Sequence, residues 1–121
     1  MSTRNLTILR RICFSAGATC AILGTSAANA SVWATCKPSA VASFDTRFHI
    51  RCAVSVGAIA YFAIPAGANS DFYRASLAVA NSALVTGKTI KVLYEPGDTS
   101  GAAFGCGASD CRKFTGLEMF E

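Results

Sequence analysis

The sequence predicts an α+β fold: one small exported domain in which an antiparallel sheet carries a single packed helix, held by two disulfides. Three observations point there. One segment after Asn69 has helical apolar spacing, and the segments on both sides of it alternate apolar and polar residues or run apolar up to a Pro or Gly. Four cysteines, Cys36, Cys52, Cys106 and Cys111, lie beyond residue 30. An even count in a chain this short reads as a disulfide framework.

Export is read from the first thirty residues. Arg4, Arg10 and Arg11 precede the uncharged stretch "ICFSAGATCAILGTSAANA", which ends in Ala28-Asn29-Ala30. A basic start, a short apolar core and an A-x-A exit describe a signal peptide over residues 1–30, cleaved after Ala30. Its apolar core is shorter than the roughly 20 residues that span a bilayer, so no membrane span is expected after cleavage. Cys20 is not a lipidation site, because "GATC" has neither the Leu nor the directly preceding Gly of such a cysteine. Cys13 and Cys20 leave with the leader. The expected location is secreted or periplasmic.

The formal charge of +4, from 11 Lys and Arg against 7 Asp and Glu, belongs largely to that leader. All the acidic residues lie beyond it, so residues 31–121 are close to neutral. No clustered basic face remains of the kind that binds nucleic acid. A single domain of roughly 90 residues buries only about 60–65% of its unfolded surface, a thin margin that cross-links offset.

The elements follow in order. "SVWATCKPSAV" reads as a short edge strand and a turn at Pro38. In "RFHIRCAVSV", Phe48, Ile50 and Cys52 alternate with His49 and Arg51, the pattern of a half-buried strand. "AIAYFAIP" is an apolar strand stopped by Pro65 and Gly67, and "AGAN" is a loop. Asn69 or Ser70 caps the helix, and Asp71 suits its positive end. Tyr73, Leu77, Ala80 and Leu84 form its apolar face, widened by Phe72, Val79 and Ala83, with Arg74 and Asn81 opposite. Gly87 supplies a left-handed C-cap. "KTIKVLYE" alternates Ile90, Val92 and Tyr94 until Pro96-Gly97. "PGDTSGAAFGCGASDC" is a glycine-rich loop, and "RKFTGLEMF" is a terminal strand in which Phe114, Leu117 or Gly116, and Met119 alternate imperfectly, with Arg112-Lys113 a solvated start.

The cysteines are staples rather than ligands or nucleophiles. A structural zinc site pairs two short knuckles or one knuckle with close histidines; Cys36 and Cys52 are far apart, and His49 is the single histidine. A reactive thiolate needs a cation, a histidine or a helix N-terminus beside it. Arg112 follows Cys111, but Asp110 precedes it and opposes the effect. Four cysteines allow three connectivities. Proximity favours Cys106 with Cys111, where Gly105 and Gly107 give a tight loop its freedom, leaving Cys36 with Cys52. Chain entropy assigns roughly 2 kcal/mol to the short loop and 3 to the long one.

No catalytic constellation is found, and no metal or cofactor is expected. "DTSG" at Asp98–Gly101 interrupts the aspartic-protease loop with a serine, and Asp98 and Ser100 serve as turn formers. "GCGASD" precedes no helix and lacks the P-loop lysine. His49, read as a solvent-facing strand residue, has no orienting acid and nucleophile beside it in sequence. Nothing in their spacing pairs Glu95 with Glu118.

The framework does resemble one family. Cys36, then Cys52 opening "CAVS", an amphipathic helix, "TGKTIKV" at Thr86–Val92 and the closing C-x₄-C are similar to the pertussis-like and subtilase-cytotoxin-type B subunits of AB5 toxins. "FGCGASDCR" is also similar to a group of small exported bacterial proteins. The resemblance runs from Cys36 to Cys111. It implies a small OB-like sheet or barrel with one helix, assembly as a homo-oligomer or with a partner protein, and glycan binding without catalysis. In that family the residues that grip sugar lie largely upstream of the first cysteine. Here only Ser31 to Thr35 fill that stretch, so no ligand-binding residue carries over. An unpaired sheet edge would favour pairing with a second chain. The alternative function is a small secreted enzyme or enzyme inhibitor that uses the Gly101–Cys111 loop.

Overall fold

The computed structural model describes residues 30–67 and 69–120. The expected signal peptide therefore lies outside the described residues, apart from Ala30, which is exposed just ahead of the first strand. The elements are β1 (Val32–Cys36), β2 (Pro38–Ser43), β3 (Arg47–Val56), β4 (Ile59–Pro65), α1 (Ser70–Thr86), β5 (Thr89–Tyr94) and β6 (Cys111–Phe120). A 3₁₀ turn at Ser100–Phe104 gives the glycine-rich loop more regular structure than its composition suggests. The sheet has six strands in the order β1-β5-β6-β4-β3-β2.

The sheet is mixed, not wholly antiparallel as expected. Tyr61–Ala63 of β4 run parallel to Cys111–Lys113 of β6. The chain path requires it: β6 is antiparallel to β5, and β5 leaves α1 running opposite to β4.

A second difference lies at Pro38. The expected strand and turn are two strands separated only by Lys37, and they sit at opposite ends of the sheet order. β1 pairs with β5 and β2 with β3. Pro38 opens β2 opposite Cys52, where the register shifts before Ala40; its missing N–H is harmless at a strand start. Among the described residues no ladder joins β1 to β2, so strand pairing does not close the sheet. The ends are linked by Lys37 itself, by the Cys36–Cys52 disulfide, and by the Ala53 N–H donating to the Lys37 carbonyl at 2.8 Å.

The inward positions build the core. Phe48, Ile50, Phe62, Ile90 and Val92 are fully buried, with Phe114 and Cys36 nearly so. Phe48 meets Phe114 edge-on at 5.9 Å, and Phe62 meets Tyr94 likewise at 4.9 Å. Each such side chain contributes about 1.5–3 kcal/mol of burial.

The helix is capped as expected. Asn69 accepts from the Phe72 N–H at 3.2 Å, and Gly87 at φ +70° donates to the Ala83 carbonyl. Its buried line is Ser76, Ala80 and Ala83, while Phe72, Tyr73, Leu77 and Val79 pack half-buried around it. Small residues at the centre let the helix approach the sheet closely, so the larger ones flank the contact.

Candidate functional site

Strand parity places a second set of side chains on the outer face. Phe48, Ile50 and Cys52 point into the core, so Arg47, His49 and Arg51 point out. Phe62 and Ile64 likewise leave Tyr61 and Ala63 outside, with Arg51 opposite Tyr61 and His49 opposite Ala63. Ala63 is nevertheless fully buried, because the loop before β6 folds over it. Ala63, Cys106 and Cys111 form a small second core, flanked by Tyr61 and Phe104.

Backbone bonds hold that loop down. The Asp110 carbonyl accepts from the N–H groups of Ala60 at 2.9 Å and Tyr61 at 3.0 Å, and the Cys111 N–H donates to the Gly107 carbonyl at 3.0 Å. The Cys106–Cys111 disulfide closes the loop. Arg112 is a clamp rather than a solvated strand end. Its Nε donates to the Pro96 carbonyl at 2.7 Å, and its Nη1 to those of Ala108 and Cys111 at 2.6 and 2.7 Å.

Where the loop meets β3 and β4 it leaves a cleft of about 150 Å³, lined by Arg47, His49, Tyr61, Gly105, Gly107, Asp110 and Cys111. Arg47 reaches under the loop, where its Nη1 donates to the Phe104 carbonyl at 3.3 Å. Its guanidinium lies 4.4 Å from the Phe44 ring centre, a cation–π contact. Its Nε is buried with no hydrogen-bond partner. Gly105 permits this approach. At φ +93° it adopts a left-handed conformation, and a Cβ there would stand 2.5 Å from Arg47 Nη1.

His49 is not the solvent-facing residue expected from alternation. It is half-buried, 5.1 Å from the ring of Phe44 on one side and 5.1 Å from that of Tyr61 on the other. Burial, and then the Arg47 charge, holds its imidazole below the ordinary value of 6.5, so it is neutral at pH 7. The cleft thus offers a cation, a carboxylate, a phenol ring and a neutral imidazole.

The other sequence candidates are placed as follows. All four described cysteines are in disulfides, Cys36–Cys52 and Cys106–Cys111, as proximity favours; no thiolate is left among them. Asp98 and Ser100 form the expected turn. The Ser100 hydroxyl and then its N–H, the latter at 2.9 Å, hold the Asp98 carboxyl below its usual range. Glu118 pairs with Lys91 at 3.7 Å, while Glu95 lies past Tyr94 at the far end of β5, so they form no carboxylate pair. Arg47, Tyr61 and Phe44 are the residues the sequence reading missed. Strand parity was the available signal for Arg47 and Tyr61, which sit outward beside buried Phe48 and Phe62; nothing marked Phe44.

Further clefts are found among the described residues. One of about 430 Å³ lies between the start of α1 and the splayed ends of β4 and β6, at Ile64, Phe72 and Phe114. Another, of about 270 Å³, runs beside the half-exposed Trp33, at Thr35, Lys91 and Glu118. No helix of the described residues is long and apolar enough to cross a membrane, and the disulfides are compatible with an extracellular or periplasmic protein. Set against known protein families, curated proteins and solved structures, the chain matches none of them.

Proposed function

We propose that the chain is an exported, non-enzymatic binding and assembly module of OB-like B-subunit type, secreted or periplasmic, whose ligand is a glycan or a partner protein. The barrel reading is supported by the strand order. If β1 and β2 are one strand bent at Lys37, the order becomes that of five strands whose first strand touches both ends, with the helix between the third and fourth. OB-folds bind ligands on the face of their second and third strands, flanked by the first–second and fourth–fifth loops.

The observation that carries the functional reading is the position of the cleft. It lies on the outer face of β3 and β4, under the loop between β5 and β6 and beside Phe44 of the loop between β2 and β3. Two rings with a few convergent polar groups suit recognition, and no serine or free thiol lines the cleft to act as a nucleophile.

A glycan array combined with native mass measurement of the oxidised protein tests this. Binding should fall at least about tenfold in Tyr61→Ala. A monomer that binds neither glycan nor protein overturns the reading. The second reading, an enzyme or inhibitor working through Gly101–Cys111, is favoured by one fact: Asp110 of that loop shares the cleft with His49. Activity or inhibition that survives fold-preserving changes at Asp98, Asp110 and Arg112 removes it.

A further inference from the structure

Arg47 and Asp110 are charged groups of opposite sign lining the same small cleft, yet among the described residues they form no ion pair with each other or with any other residue. Such groups on one half-buried surface ordinarily meet, since a charge shielded from water is stabilised by a partner. Here each is held apart by its own surroundings. The Arg47 guanidinium is fixed by the Phe104 carbonyl and the Phe44 ring. The Asp110 backbone is fixed by the N–H groups of Ala60 and Tyr61, and its Oδ1 looks toward Gly107, 3.7 Å from where a Cβ would stand.

We propose that the cleft takes a zwitterionic group, an ammonium and a carboxylate on one small unit, as in an α-amino acid. The carboxylate meets Arg47, the ammonium meets Asp110, and the rings of Tyr61 and His49 form the wall. Charge selects this class. A simple anion would be drawn to Arg47 but would face the Asp110 carboxylate, and a simple cation would be drawn to Asp110 but would face the guanidinium. A ligand bearing both charges satisfies both walls and needs no counter-ion. Arginine suits the carboxylate end, because its planar fork matches two oxygens. Size agrees as well: about 150 Å³ is the space of about five liquid waters, enough for a unit such as alanine and too little for a bulky one. The same group, borne on a larger molecule, enters equally well with its remainder outside the cleft.

The proposal rests on the binding-module reading for this cleft, and the experiment separates the two. Calorimetric titration of the oxidised protein uses L-alanine, glycine, acetate and methylammonium chloride, and a glycan array runs in parallel. The expected result is saturable binding of alanine and glycine, with acetate and methylammonium at least about tenfold weaker. Arg47→Gln and Asp110→Asn should each lower alanine affinity at least about tenfold, with the circular dichroism spectrum unchanged to show that the fold persists. Acetate binding as tightly as alanine, or alanine binding unaltered by Asp110→Asn, overturns the proposal. Glycan binding that Tyr61→Ala abolishes but Arg47→Gln and Asp110→Asn leave unchanged, with no alanine binding, overturns it while leaving the binding module standing. If amino acids alone are inert but a glycan or peptide bearing an ammonium and a carboxylate binds through Arg47 and Asp110, the zwitterionic group is confirmed on the larger carrier.

Discussion

The two disulfides are chemically the same and do different things. Cys36–Cys52 spans 16 residues, lies inside the main core, and ties β1 to β3 where the chain crosses from one end of the sheet order to the other. Cys106–Cys111 spans 5 residues, lies on the outer face, and closes a loop that roofs the cleft. The first constrains topology and the second constrains a surface. A cross-link acts on whatever freedom the chain would otherwise have. The long one removes long-range disorder, and the short one mainly removes local disorder around Arg47 and Asp110.

The largest effect should come from the core bridge. Replacing both Cys36 and Cys52 with alanine should cost about 3 kcal/mol, and replacing both Cys106 and Cys111 about 2 kcal/mol. Denaturant unfolding checks the totals, and amide exchange checks where the loss falls. In the first variant protection should drop across β1 and β3; in the second it should drop over residues 101–110 while the core strands keep theirs. If exchange rises equally everywhere in both variants, the division into a topological and a local staple is wrong.

The same division explains what could be read in advance. The helix was legible because its signals are local: Asn69 and Gly87 bound it and both cap it in the structure. β3 and β5 were legible because Phe48, Ile50 and Cys52, and then Ile90, Val92 and Tyr94, alternate within one strand each and are all buried. The cysteine pairing was legible for the short loop because five residues bring the sulfurs together unaided. The start of β2 one residue after β1 was hidden by Pro38, which looks like a turn residue and in fact starts a strand. The parallel contact of β4 with β6 covers only Tyr61–Ala63 and Cys111–Lys113, and no local pattern encodes a pairing between strands so distant in sequence. The cleft was hidden for the same reason. Arg47 and Asp110 become neighbours only when the loop docks on Ala63, and that docking depends on tertiary packing.

A glycine comparison sharpens the local half at a smaller scale. Gly105 at φ +93° and Gly67 at φ +85° share a left-handed backbone, which costs an alanine roughly 1–2 kcal/mol. At Gly67 a Cβ would meet nothing within 4 Å, whereas at Gly105 it would strike Arg47. Gly105→Ala should therefore destabilise more than Gly67→Ala, and the excess should shrink in an Arg47→Ala background. A double-mutant cycle in urea measures this coupling. Equal losses at the two glycines would mean that the loop does not depend on seating the guanidinium.

The smallest effect is expected from pH, and it reports on the cleft rather than the core. His49 is held below its ordinary 6.5 by burial and then by Arg47, so the folded state prefers the neutral imidazole. That preference contributes its full stability above pH 6.5 and loses it as the pH falls through 6.5 toward the folded-state value, because the unfolded chain takes up the proton first. Asp98, held below 3.8 mainly by the Ser100 hydroxyl, works in the same direction, but its stability is lost only as the pH falls through still lower values. A fall in the urea midpoint between pH 7.5 and 5.5 that disappears in His49→Gln therefore isolates the cleft. Because His49 touches Phe44, Tyr61 and the surroundings of Arg47, the variant lacking Cys106 and Cys111 should show a weaker pH response, since the loosened roof lets water reach the imidazole. The variant lacking Cys36 and Cys52 should keep the response while being less stable at every pH. Opposite behaviour of the two variants would mean that the local staple does not shape the cleft.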